Sequence, residues 1–267
     1  MRFGAMNFPI KPVLAEIDAF AALDMDYLEL ALDPPQAHFS LIRQQQQSIR
    51  RALRQHTMGL VCHLPTFVYT ADLSPAIRNA SIQETLASLE IAADLEAEKV
   101  VLHPGYIGGL AVHVMAQALA LAMESLEIFV RRSERLGIIM CIENMFPKYR
   151  PFVTPDDFQP VFEAFPQLKF TLDTGHAHIG DEKGGRALTF IARYGQRLGH
   201  LHVSDNSGQA DEHLPVGQGT IGFKALVRAL VHSGYDDTLT LEVFSPDRAD
   251  LVNSRRRISR MLDAVRP

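Results

Sequence analysis

The chain has 267 residues, 47% of them hydrophobic, with two cysteines and a formal net charge of −5. The length is close to the ~250 residues of one (β/α)8 barrel. The acidic balance disfavours a nucleic-acid partner, which is gripped through a basic face, and no apolar run reaches the ~20 residues of a membrane helix.

Apolar β-type runs are expected at 2–6, 27–30, 60–63, 100–103, 138–143, 170–173, 201–203 and 239–243. Amphipathic helical stretches fall between and after them, at 13–23, 41–55, 75–96, 112–136, 155–165, 187–196, 223–233 and 249–265. Ser74-Pro75 and Thr154-Pro155 read as helix starts with proline at the first helical position. Gly137 and Gly234 read as helix stops. Strict strand–helix alternation implies a parallel sheet. Right-handed crossovers and this length favour closure into a single (β/α)8 TIM barrel over a doubly wound open sheet. Residues 1–267 are expected to form one domain, with the site at the C-terminal strand ends. The first residues, MRFGAMNFPI, carry no signal-peptide pattern. Cys62 and Cys141 fall inside expected buried strands and read as small apolar thiols, which suits a reducing cytoplasm.

Six β runs end in a ligand-type residue: His63, His103, Glu143, Asp173, His202 and Glu242. Successive separations are 40, 40, 30, 29 and 40 residues, close to one strand-plus-helix unit. A core gains nothing from ending strand after strand in a polar residue, whereas a ring of strands aimed at one ion site requires it. His176 in LDTGH, and Asp211 and His213 in DEHLPVGQG, extend the set to nine. A lone histidine at a strand end is more often a hydrogen-bonded loop residue; nine ligand-type residues together point to an ion site. Imidazole mixed with carboxylate suits divalent zinc or manganese (cobalt or iron as well) better than magnesium or calcium, which favour all-oxygen shells. The count allows one to three ions, and no cysteine joins the set. His200 shares inward parity with His202 and is expected behind it as a donor. His178 and Asp205 are read as further groups that orient an imidazole. His38, His56, His113 and His232 read as surface or packing residues. Gly217 and Gly219 suit a tight loop as well as a phosphate cradle.

In the order LHPG, IEN, LDTGH, HLHVSDN, DEHLPVGQG and LEVF, these segments resemble the xylose isomerase-like TIM barrels over nearly the whole chain. That superfamily includes sugar isomerases and epimerases and the endonuclease IV family. The ketose 3-epimerase branch is similar at Glu143, Asp173, His202 and Glu242. The resemblance implies a four-ligand mononuclear site whose two glutamates are also acid and base groups, with His176 matching a substrate-binding histidine. Where that branch has a substrate-gripping arginine, this chain has Gly208. The endonuclease IV branch is similar at all nine positions, which implies three zinc ions. The chain departs from it in HLPTFVYT, at Gly175 in place of a cysteine, and in a short 202–211 segment without basic residues.

The expected function is therefore a divalent-metal-dependent isomerase or epimerase of a sugar or similar polyhydroxy carbonyl compound. Glu143 or Glu242 takes the proton α to a metal-polarised carbonyl and the other returns it, while His63 and His176 bind substrate hydroxyls. Glu143, Asp173, His202 and Glu242 hold the metal, with His63, His103, His176, Asp211 and His213 as additional candidate ligands. The alternative is an endonuclease IV-like multi-zinc phosphodiesterase. Basic residues near the mouth are few: Lys148, Arg150, Lys183 and Arg186. The Lys148-Tyr149-Arg150 triplet reads as a solvated loop, with a closing lid as the alternative.

Overall fold

The computed structural model describes residues 1–181 and 184–265, so Lys183 and the last two positions of the expected domain lie outside it. Eight parallel strands close into a barrel in chain order. They are β1 (Arg2–Met6), β2 (Tyr27–Ala31), β3 (Gly59–His63), β4 (Lys99–Leu102), β5 (Ile139–Glu143), β6 (Lys169–Asp173), β7 (Leu198–Val203) and β8 (Thr238–Leu241), and β8 pairs with β1. The outer layer comprises α1 (Val13–Ala21), α2 (Phe39–His56), α3 (Pro75–Asp94), α4 (Met115–Leu136), α5 (Pro155–Ala164), a short α6 (Thr174–His178), α7 (Arg186–Tyr194), α8 (Phe223–His232) and α9 (Ala249–Asp263).

The expected elements are all present, with informative differences. His103 and Glu242 stand one residue past β4 and β8 rather than within them. The helix expected from 112 begins as a 3-10 turn over Gly109–Val114. The stretch Gly109–Leu136 has the length and composition of a membrane span, although polar residues such as His113, Gln117 and Glu124 interrupt its apolar run. In the barrel its Ala118, Ala122, Leu126 and Phe129 are buried as one face of α4. The unexpected α6 follows β6 directly, because the Asp173 side chain accepts the His176 backbone N–H at 2.6 Å and caps it. At the start of α5 the Asp157 carboxylate accepts the Thr154 N–H at 2.7 Å. Ser74 makes no such capping bond. Gly137 ends α4 at φ 69°, a conformation in which a Cβ is strained.

The two faces of the strands have opposite chemistry. Outward residues such as Leu28, Leu30, Cys62, Ile142, Phe170 and Leu172 form the main core under the helices. There Phe158 lies 5.2 Å from Phe170 and 5.7 Å from Phe190 between ring centroids. Burying one such ring contributes about 1.5–3 kcal/mol. The barrel interior, by contrast, is largely polar. Only Tyr27, Val61 and Val101 form an apolar cluster of their own, and Glu29, Lys99, Thr171, His200, Thr238 and Thr240 are all buried. Branched apolar layers usually fill such an interior. Cys62 and Cys141 are buried free thiols, and burial raises both, Cys141 to about 12, which makes them inert.

The GQG loop is structural. The Asp205 carboxylate accepts the backbone N–H of Gly217 at 2.8 Å and of Ile221 at 3.1 Å, so these donors already have a partner within the chain. A Cβ on Gly219 would lie 2.3 Å from the Asn206 carbonyl oxygen and 2.6 Å from its nitrogen, both backbone atoms. Gly219→Ala is expected to destabilise the protein by about 1–3 kcal/mol, the usual range for overpacking; an unchanged thermal melt would refute this close approach.

Candidate metal centre

Strand parity explains why the strand-end residues among the nine meet. Inward positions alternate, so Glu143 continues the row of Cys141, Asp173 that of Thr171, His202 that of His200, and Glu242 that of Thr240. All parallel strands end on the same side, so these side chains converge at one mouth. The nine donors sort into three groups there. His63 Nε2 and His103 Nε2 both face Glu143 Oε2, at 3.4 and 3.2 Å. His202 Nδ1 faces Glu143 Oε1 at 3.2 Å, Glu242 Oε1 at 3.1 Å and Asp173 Oδ2 at 3.8 Å. His176 Nε2 and His213 Nε2 both face Asp211 Oδ2, at 3.4 and 3.1 Å. Glu143 belongs to the first two groups and lies beside the third, through His176 Nδ1 at 3.2 Å.

The tautomers are set from behind. His63 Nδ1–H donates to the Leu64 carbonyl at 2.8 Å, His176 Nδ1–H to the Asn144 carbonyl at 2.9 Å, and His213 Nδ1–H to the Glu242 carbonyl at 3.1 Å. His202 is reversed: its Nε2–H donates to Glu29 Oε1 at 2.9 Å. In each ring the remaining nitrogen turns its lone pair to a carboxylate oxygen. Two acceptors at that distance repel unless a cation lies between them. Glu143 Oε1 and Oε2, Asp173 Oδ2 and His202 Nδ1 are indeed buried without a hydrogen-bond partner. Such atoms are rare in folded proteins, and imidazole nitrogen with carboxylate oxygen is a donor set suited to a divalent metal. The residues present fit the ion.

Without an ion, protons take its place. Burial opposes the imidazolium form of His176 and His202, but the surrounding carboxylates outweigh it and hold both well above the ordinary value. The same contest raises His63, and raises His213 to about 9. Glu242 is pushed up to about 7 by burial. Burial acts the same way on Glu143, where His202 and His103 overcome it and keep the carboxyl well below the usual range.

Above the centre lies a cavity of about 330 Å³. Its walls include Phe8, Phe67, Phe146, Tyr149 and Phe244, and no lysine or arginine lines it among the described residues. Of the triplet on the loop after β5, Tyr149 alone lines the cavity, packed 5.0 Å from Phe146 and 5.2 Å from Tyr106. Lys148 and Arg150 are exposed beside it. Gly208, in the arginine's place, has φ 83° and its carbonyl accepts the Gly180 N–H at 2.9 Å. It is a turn position.

Two expected orienting residues do not act so. His178 Nε2 meets the Thr220 hydroxyl at 2.8 Å, and Asp205 holds the GQG loop. His200 does lie behind His202, as expected, and is linked to it through Glu29. Glu29 escaped the sequence reading, although a buried carboxylate inside the apolar run YLELA was a visible signal. The aromatic walls were missed too, since Phe8 and Phe244 are far apart in sequence yet their rings are 5.7 Å apart.

A closed eight-stranded parallel barrel with a histidine–carboxylate cluster at its mouth defines a class of TIM barrels whose strand ends carry ligand-type residues. The family model described as xylose isomerase-like TIM barrel matches residues 17–265, and the chain belongs to that family. A protein of Methanocaldococcus jannaschii, MJ1311, is 30% identical over 224 residues, covering 79% of this chain and 72% of that one. A D-tagatose 3-epimerase-like protein superposes with a TM-score of 0.88 at 24% identity, covering 99% and 98% of the two chains. The TTHB071 protein of Thermus thermophilus, solved after soaking with zinc chloride, superposes with a TM-score of 0.78 at 27% identity over the whole of both chains.

Proposed function

We propose that this protein is a divalent-metal-dependent isomerase or epimerase acting on a sugar or a similar polyhydroxy carbonyl compound. The observation that carries the reading is a pair of buried glutamates, Glu143 and Glu242, each with an oxygen 3.1–3.2 Å from His202 Nδ1, beside a small cavity walled by aromatic rings. Aromatic faces around a cavity of this size suit a small neutral ring or chain. The absence of lysine and arginine among the described lining residues suits a polyanion poorly. The likeness to a D-tagatose 3-epimerase-like protein supports the same substrate class.

Glu143, Asp173, His202 and Glu242 would hold the metal, as zinc or manganese. Bound there, it supplies Lewis acidity toward a substrate carbonyl and the neighbouring hydroxyl, where negative charge develops as the α proton leaves. Glu143 and Glu242 take and return that proton, one from each side, a contribution of about 10²–10⁴ in rate. His63 and His176, on the cavity wall, hold substrate hydroxyls. The aromatic walls exclude water from the reacting carbons.

One observation favours a second reading, an endonuclease IV-like phosphodiesterase. His176, Asp211 and His213 form a third donor group, and His63 with His103 complete another, so three ions can be accommodated. Metal content by elemental mass spectrometry, paired with activity panels, separates the two. The expected result is about one ion per chain at full activity, interconversion of ketoses or aldoses, and no cleavage of an abasic duplex. Three zinc ions per chain with phosphodiester cleavage and no sugar turnover would overturn the isomerase reading.

A further inference from the structure

Behind the centre, a continuous polar chain runs down the inside of the barrel to its opposite face. It starts at His202, whose Nε2 is 2.9 Å from Glu29 Oε1. Glu29 Oε2 is 2.8 Å from His200 Nε2, and His200 Nδ1 is 2.7 Å from the Thr238 hydroxyl. Lys99 Nζ lies 3.2 Å from that hydroxyl and 2.7 Å from Asp237 Oδ2, whose side chain is 43% exposed beyond the strand starts. Glu29, His200 and His202 are fully buried.

The donor and acceptor inventory leaves one assignment for this chain. The Glu29 carboxylate only accepts, so His200 and His202 both donate to it from Nε2. A neutral His200 then has its lone pair on Nδ1, which accepts the Thr238 O–H, while the Thr238 oxygen accepts from the Lys99 ammonium, which only donates. The lone pair of His202 Nδ1 is then turned toward Glu143, Asp173 and Glu242. Glu29, His200 and His202 together have the residue types of a metal site. Their mutual contacts are already hydrogen bonds, however, and of their polar atoms only His202 Nδ1, on the side away from Glu29, is buried without a partner.

We propose that Glu29 is the positioning residue of the centre: together with His200, Thr238 and Lys99 it fixes His202 in the tautomer that presents Nδ1 to a metal, and it holds no ion of its own. This rests on the metal-centre reading above. The metal affinity of the mouth is thereby tied to residues on the far side of the barrel. A Glu29→Gln amide offers one acceptor and one NH2 where two imidazole N–H groups need acceptors, so the pattern no longer imposes one tautomer on His202.

The test is cobalt(II) titration of the full-length chain by visible absorption, with zinc competition giving the affinities. Glu29→Gln is expected to weaken binding about 10–100-fold, the usual cost of removing such a partner, and to change the cobalt spectrum. Thr238→Val, which cannot donate to His200, is expected to shift both in the same direction by less. Far-ultraviolet circular dichroism of the ion-free variants checks that they fold. A purely structural role for Glu29 would lower the melting temperature while leaving the native cobalt spectrum and affinity, and that result overturns the inference. If the native chain itself binds no cobalt or zinc, the centre falls with it; native binding matched by Glu29→Gln refutes the positioning role alone.

Discussion

Glu143→Gln is expected to abolish turnover and to empty the centre while the barrel stays folded. Glu143 ends β5 and shares its two oxygens between donor groups: Oε2 faces His63 and His103, and Oε1 faces His202 and His176. No other side chain in the centre has four imidazole partners among the described residues. An amide keeps the shape but removes the charge and replaces one acceptor by a donor aimed at an imidazole lone pair. Loss of proton transfer alone costs about 10²–10⁴ in rate, and loss of metal multiplies that. Asn144 and the Asp173 backbone remain tied at 2.9 Å next to it, so the local backbone has independent support. Metal content and kcat of the variant, beside its circular dichroism, decide the matter. A folded Glu143→Gln protein with native metal content and turnover would remove Glu143 from the site.

The second large effect is a reversal of pH dependence on metal binding. In the ion-free protein His213 is raised to about 9 and His63, His176 and His202 are raised as well, against an ordinary value of 6.5. Between pH 6.5 and about 9 the folded chain therefore holds protons that the unfolded chain has released. Their contribution to stability is complete below 6.5 and is lost as pH rises through the folded values. Glu242, raised to about 7 from 4.5, works in the same direction at lower pH. His103 and His200, lowered chiefly by burial, oppose it, but only below their ordinary value. Glu143 and Asp211, held low, are fully ionised across this window. The chelated protein is expected to melt at progressively lower temperature from pH 6.5 to 9. A metal takes the place of these protons, so its binding tightens with pH. At a free concentration 100 times Kd it contributes about 2.7 kcal/mol, a rise of about 5–10 °C at the usual sensitivity of a chain this size. Zinc and manganese are therefore expected to flatten or invert the slope. Coincident melting curves with and without metal at pH 8.5 would exclude an ion from these residues.

The architecture was legible in the chain because the signals that carry it are local. Short apolar runs alternating with amphipathic stretches recur eight times, and parallel strands need crossovers of this length. The nine donors were legible for a related reason. Each lies at the C-terminal end of a strand or in the segment just beyond it, and a parallel barrel sends all such positions to one mouth. Sequence also favoured His200 as a group behind His202, through shared parity alone.

What sequence left open depends on contacts between residues distant along the chain. Parity places Glu29 inside the barrel, but only barrel closure brings it across from β7, more than 170 positions away, to hold two imidazoles. The same closure sets Phe8 beside Phe244 and leaves Lys148 and Arg150 off the cavity wall. GQG was ambiguous in the sequence because its meaning turns on where the backbone N–H groups point, and the Asp205 carboxylate takes that of Gly217 while the Pro215 carbonyl takes that of Gln218. Residue type and periodicity thus determined the barrel and the ring of donors. The tertiary structure decided which nitrogen of His63, His176, His202 and His213 faces the centre, because a tautomer is set by the partner behind the ring.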